Sequence, residues 1–142
     1  MLYKIDIYTQ FTFKAKNEKE AYKYDMGELE IDYDKLEIDS SYEDTTDLIK
    51  SASNSFTKFC KKYKDNIKIG TKDKLEPIDE NHTYIDLTNY YRGCYSSASY
   101  EYVHVTIHYC IYIELCDLDK SIIDTELFNQ LDDCIDCEYT EV

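Results

Sequence analysis

Glycine, proline, tryptophan and arginine are almost missing from this chain, which holds three glycines, one proline, no tryptophan and, beside its lysines, only Arg92. With glycine confined to positions 27, 70 and 93, no Gly-rich loop can cradle a phosphate. Also missing is any run of about 18 apolar residues, so no membrane-spanning helix is expected. The first segment alternates polar with apolar residues, which is not the pattern of a signal peptide. The expectation is therefore a cytoplasmic protein, away from membranes, whose six cysteines stay reduced.

What is present is enough for a core. Of 142 residues, 43% are hydrophobic and 15% aromatic, which predicts one folded domain over 1–142 rather than a disordered acidic chain. The preponderance of lysine over arginine, with many Ile, Asn and Tyr, points to an AT-rich coding sequence, as in a low-GC bacterium, its phage or a large virus.

Charge is distributed in blocks. Residues 18–47 carry twelve carboxylates against Lys19, Lys23 and Lys35, a local −9. Residues 114–142 carry ten against Lys120 alone, another −9, within a total of −14. Residues 50–76 swing to +5, from eight lysines and three acids. Such a field attracts basic partners and repels nucleic acid and anionic membranes.

Periodicity predicts the elements. Residues 2–15 alternate strictly and read as a strand. Asn17 with Glu20 resembles a capping box and opens a helix over 18–26. Residues 29–39 favour a strand or small hairpin, since Gly27 costs a helix interior about 1 kcal/mol. Leu48, Ile49, Ala52, Phe56, Phe59, Cys60 and Tyr63 make 42–64 the strongest helix, with Ser41 as its cap. A short strand at 66–69 precedes a loop around Gly70 and Pro77. The second half reads as a hairpin: Tyr84–Tyr91 as one arm, 93–99 as the connection and 100–116 as the long second arm. A last helix is expected over 124–137. The fold class is α+β, a mostly antiparallel sheet with two or three helices packed on one face.

No residue set specifies catalysis, and no cofactor or metal is expected. Cys134 and Cys137 have the Cys-x-x-Cys spacing of half a zinc site or a redox pair, but no second ligand pair accompanies them and they close a segment instead of opening a helix. One buried and one exposed thiol is the favoured reading. His104 and His108 share a strand face roughly 13 Å apart, too far for one metal ion. The lysines after residue 50 are accounted for by the helix dipole, acids first and bases last.

The carboxylates are less easily accounted for. In a helix over 124–137, Asp132, Asp133 and Asp136 would fall in the last turns, where the dipole disfavours them, and Glu138 extends the run. On a strand, Glu28, Glu30, Asp32 and Asp34 form a row spaced about 6.6–6.8 Å, near two phosphate steps of a nucleic-acid strand. Around the lone arginine, Tyr90, Tyr91, Arg92 and Tyr95 have the composition of an adaptable binding loop.

In overall character, small, strongly acidic, tyrosine-rich and without catalytic motifs, the chain resembles phage-encoded anti-defence proteins, the anti-CRISPR and anti-restriction inhibitors that act as nucleic-acid mimics. That resemblance is one of composition and carries over no individual residue. It implies a non-enzymatic inhibitor that binds a basic, nucleic-acid-binding enzyme by mimicry or steric blocking, without binding nucleic acid itself. The alternatives are an immunity protein or accessory subunit held through tyrosines, and a thiol- or zinc-dependent enzyme using Cys134 and Cys137.

Overall fold

Two long strands organise the chain. The computed structural model describes residues 1–25, 37–38, 42–79 and 84–142. Strand β1 (Leu2–Lys14) and strand β6 (Tyr102–Leu115) pair antiparallel along their full length, from Leu2 opposite Glu114 to Lys14 opposite Tyr102. Both carry an unbroken period-two pattern, so one register buries both apolar rows at once, and a slip of one residue would expose both.

The other strands flank this pair in halves. On the outer edge of β1, strand β7 (Asp136–Glu141) covers residues 3–8, and β2 (Glu37–Ile38) returns only at Phe13 and Lys14. On the outer edge of β6, β5 (Tyr91–Ser99) covers the first half and β3 (Ile67–Thr71) the second, with β4 (Lys74–Pro77) beyond it. All seven described strands pair antiparallel in one sheet.

Helices cover one face of that sheet. Helix α1 (Glu18–Tyr22) is capped by Asn17, whose Oδ1 accepts from the Glu20 N–H at 2.9 Å. It seats Ala21 against Phe11, Phe13, Val103 and Val105. Helix α2 (Tyr42–Lys62) lays Ile49, Ala52, Phe56, Phe59 and Cys60 on Ile5, Ile7, Ile111 and Ile113. Each fully buried Ile or Phe among them contributes about 1.5–3 kcal/mol of burial free energy. Two buried hydroxyls of α2 also dock the chain after residue 84. Ser53 Oγ accepts from the Leu87 N–H at 3.0 Å, and Thr57 Oγ1 from the Ile85 N–H at 2.9 Å. The α+β architecture is thus as expected.

Four expectations are corrected. The loop around Gly70 and Pro77 is the β3–β4 hairpin, in which Gly70 packs so tightly that an added Cβ would lie 2.1 Å from the Lys74 carbonyl oxygen. Residues 84–90 are irregular and 3₁₀ structure instead of a strand. The expected connection at 93–99 is strand β5, joined to β6 by a tight turn at Tyr100, whose φ is 55°. Residues 124–137 form no α-helix. A π-turn (Ile123–Leu127) and a 3₁₀ turn (Phe128–Gln130) end before Asp132, whose Oδ1 accepts from the Cys134 N–H at 2.8 Å and starts β7. The Leu127, Phe128, Leu131 and Ile135 spacing imitates a helical stripe, but Asp132 makes an Asx turn there. The dipole argument for Asp132, Asp133 and Asp136 accordingly falls. The predicted row Glu28, Glu30, Asp32 and Asp34, the 29–36 part of the predicted strand and the Ser41 cap lie outside the described residues.

Candidate functional site

The sheet's second face carries no described helix. It displays the even-numbered residues of β1 and β6, most of them polar and half-buried. Register decides its rows. Asp136, Tyr8 and His108 lie side by side across β7, β1 and β6, as do Glu138, Asp6 and Cys110. Gln10, Thr106 and Tyr95 form the next row across β1, β6 and β5.

At the centre of this face is a cross-strand clamp. Asp6 is only 5% exposed, and its Oδ1 lies 2.7 Å from His108 Nε2. Lys4 Nζ approaches the other carboxylate oxygen at 3.8 Å. The His108 ring stacks on Tyr8 at 4.6 Å with 10° between planes. Burial raises the Tyr8 hydroxyl pKa, and the charges of Asp6 and Glu138 raise it further. An Asp–His pair beside a thiol invites a catalytic reading, but Cys110 is a poor nucleophile: burial, then the Asp6 charge, pushes its thiol pKa up. The pair ties β1 to β6.

Beside the clamp lies a groove of about 430 Å³, lined by Tyr8, Thr9, Gln10, Tyr95, Thr106, Cys134, Asp136 and Glu138. It lies where β7 ends along β1. Met1 and Leu115 exchange both backbone bonds, so odd residues of β1 face β6. Leu2 accepts from the Val142 N–H, so even residues face the other edge. Past Tyr8 opposite Asp136, β7 has ended, and among the described residues the next partner on that edge is Ile38 of β2, opposite Phe13. The backbone of Gln10 therefore faces the groove with no strand opposite it among the described residues.

Of the residues expected to bind a partner, Tyr95, Asp136 and Glu138 come together at this groove. Asp132 and Asp133 are exposed in the turn that leads into it. Among the described residues no cation pairs with Asp133, Asp136 or Glu138. Arg92 is exposed in the irregularity between Tyr91 and Gly93, close enough to Cys110 for its charge to favour the thiolate there. Tyr91 is 57% exposed and meets Tyr109 edge-on, whereas Tyr90 packs against the main core and offers no free ring. Tyr8, Thr9, Gln10 and Thr106 were not singled out from the sequence. Their signal is the β1–β6–β5 register, which no local pattern states.

The Cys-x-x-Cys pair is divided by the strand. Cys134 is exposed at the groove, while Cys137 is half-buried opposite Ile7 and packs against the main core. A hydrogen bond to Asp132 raises the Cys134 pKa, and burial raises that of Cys137, so both thiols stay protonated at neutral pH. Among the described residues no group of three or more His, Cys, Asp or Glu side chains is placed to hold a metal ion. No described helix is long and apolar enough to cross a membrane.

A second groove, of about 460 Å³, lies between α2 and the 123–130 segment. Lys62 and Tyr63 both donate to Glu126 across it, which closes that end by an internal link. Comparison with known proteins gives no match to any family model, curated protein or solved structure.

Proposed function

We propose that this chain is a non-enzymatic inhibitor that occupies a basic, nucleic-acid-binding surface of a host defence protein, such as a CRISPR effector or restriction-type nuclease. The observation that carries this reading is a set of carboxylates without a cation partner among the described residues: Asp136 and Glu138 beside exposed Tyr95 on a sheet face that carries no described helix, with exposed Asp133 in the turn before them. Asp136 and Glu138 are alternate residues of β7 and so stand about 6.6–6.8 Å apart on one side, close to two phosphate steps of a nucleic-acid strand. Thr140 interrupts the row after them. The reading is therefore of local phosphate imitation combined with steric blocking, and not of a long nucleic-acid mimic. Complementary charge of this kind sets orientation and association rate more than it sets affinity, while the tyrosines supply contact area.

Co-purification from the native cell at about 50 mM and about 500 mM salt tests it, because exposed charges are screened strongly over that range. The expected partner is a basic nucleic-acid-binding protein, retained at low salt and released by high salt or by competing duplex. A partner held equally at both salt concentrations, and indifferent to duplex, contradicts the reading.

One set of exposures supports a second reading. Tyr91, Tyr95 and Tyr100 are 57%, 54% and 74% exposed along β5 and its turn. An immunity protein or accessory subunit would be held by such rings. Salt-insensitive binding lost on Tyr91→Ala or Tyr95→Ala selects it.

A further inference from the structure

Resting on the proposed basic partner, we infer that the outer edge of β7 takes up an extended, basic segment of that partner as an added strand. On its inner side β7 pairs with β1. The Val142 N–H donates to Leu2, so Asp136, Glu138, Thr140 and Val142 turn their backbone groups toward β1. Cys137, Tyr139 and Glu141 turn theirs outward, and among the described residues nothing hydrogen-bonds those N–H and C=O groups. Such a row is a template for another strand.

Chain length keeps this edge clear of the neighbouring segments. Asp25 accepts from the Ala98 N–H, Ala98 lies opposite Val103, and Val103 lies opposite Phe13. Glu37 lies opposite Lys14, at the same end of the sheet. Tyr139 lies opposite Ile5, about 27–30 Å along the strands from both tethers. A path out and back is about 57 Å, whereas the chain from Asp25 to Glu37 spans roughly 43 Å at full extension. From Ile38, opposite Phe13, the chain before Tyr42 reaches about 11 Å, short of Cys137 at about 20 Å. The chain between Asp79 and Tyr84 joins β4, at the opposite edge of the sheet, to Ile85 on α2.

The sheet's other outer strands are blunted. β4 ends in Pro77, which has no N–H, and pairs its own Lys74 with Glu76 at 3.3 Å. β5 gives its Ala98 N–H to Asp25 and its Ser96 hydroxyl to Tyr24, and β2 has two described residues. On β7, charge selects the occupant instead of blocking it. Exposed Asp136 and Glu138 stand on its open-face side and exposed Glu141 on the other, and no cation pairs with them among the described residues. Two copies of β7 would set these carboxylates against each other, which disfavours a second copy. A basic strand, antiparallel like every described pairing in this sheet, places lysine or arginine beside Asp136 and Glu138. Its alternate residues set apolar side chains beside half-buried Cys137 and Tyr139.

The test uses the full chain at low salt and an end-blocked peptide of alternating lysine and valine. The glutamate-valine peptide and two N-methylated versions are its controls. In the antiparallel register the valine N–H groups face β7 and the lysine N–H groups face away. Hydrogen exchange is followed residue by residue by NMR. The expected result is slowed exchange at the Cys137, Tyr139 and Glu141 amides with the lysine-valine peptide and none with the glutamate-valine peptide. Methylating the valine nitrogens abolishes the effect, and methylating the lysine nitrogens leaves it. Glu138→Lys weakens the peptide by about fivefold, and Glu141→Pro, which removes one outward donor, by about two- to tenfold. Binding that survives methylation of the valine nitrogens, or that leaves those three amides exchanging at their free rate, overturns the inference.

The two readings fail separately. If a basic partner is captured salt-dependently but leaves the Cys137, Tyr139 and Glu141 amides unprotected, the added strand is wrong and the docking function stands. If the peptide pairs as described but the captured partner is indifferent to salt, the added strand stands and the docking function is wrong. Protection of the same amides with rising protein concentration and no peptide assigns the edge to a second copy and overturns the assignment to a foreign partner.

Discussion

Thr9→Val should make the protein more stable. Thr9 stands on the core face of β1 between Ile7, which belongs to the main core, and Phe11, which belongs to the smaller core under α1. Its neighbour across the ladder, Ile107, packs against both. The side chain is 1% exposed and its hydroxyl has no partner among the described residues. An unpartnered buried hydroxyl costs about 1–3 kcal/mol in mutational data. Valine keeps the branched shape and the strand preference while removing that cost, so the net gain is about 1–2 kcal/mol. For a chain of this length each kcal/mol moves Tm by about 2–4 °C, giving a rise of about 2–8 °C. Thermal and urea unfolding followed by circular dichroism measure it, with the m-value unchanged. A neutral or destabilising outcome would refute the reasoning, since it would mean that the hydroxyl is satisfied in the native protein.

Further outcomes follow from three residues. Gly70→Ala should destabilise by about 1–3 kcal/mol, because the added Cβ meets the Lys74 carbonyl oxygen at 2.1 Å and must push β3 from β4; a denaturation midpoint equal to that of the parent contradicts it. Burial pushes the Cys60 thiol up to about 12, so native protein should alkylate at Cys60 only as fast as it opens. Because that folded value lies above the unfolded one, unfolded chains lose the proton first, and stability should fall as pH rises past about 9; unfolding midpoints measured from pH 8 to 11 check the sign. The hydrogen bonds from Lys62 and Tyr63 depress the Glu126 pKa, so its contribution is present at neutral pH and disappears as pH falls through the folded value. Glu126→Gln should therefore lower stability at pH 7 and flatten the acid limb of the stability curve, and an unchanged limb would contradict the link.

Much of the fold was legible because its central elements carry unmixed periods. The apolar rows of β1 and β6 keep period two from end to end, and α2 repeats its apolar stripe over about four turns. The failures occurred where a local signal competed with a tertiary one. β5 holds Gly, Cys, Ser and Ala, poor strand formers, and it is ordered by pairing with β6 from Gly93 to Ser99. At the C-terminus two periods overlap. Leu127, Phe128, Leu131 and Ile135 suggest a helix, while Ile135, Cys137 and Tyr139 already alternate with Asp136, Glu138 and Thr140 as a strand does. The Asp132 turn divides them.

The site was legible in part for the same reason. Tyr95, Asp136 and Glu138 were singled out by composition and charge, and the structure places them at one groove. Their distance in sequence gave no hint of that proximity, because it depends on β5 and β7 flanking opposite sides of the β1–β6 pair. Asp6 was hidden by its own strand, where it reads as an ordinary outward polar residue. Only the pairing of β1 with β6 brings His108 to it.

The most direct test of the docking account is partner affinity as a function of salt, for the parent chain and for a variant carrying Asp133→Lys, Asp136→Lys and Glu138→Lys. Asp132 is left in place because it holds the turn into β7. The account predicts steep weakening of the parent with salt and a loss of about 100-fold in the variant at low salt, with its unfolding midpoint little changed. Equal affinity of parent and variant at every salt concentration would contradict it.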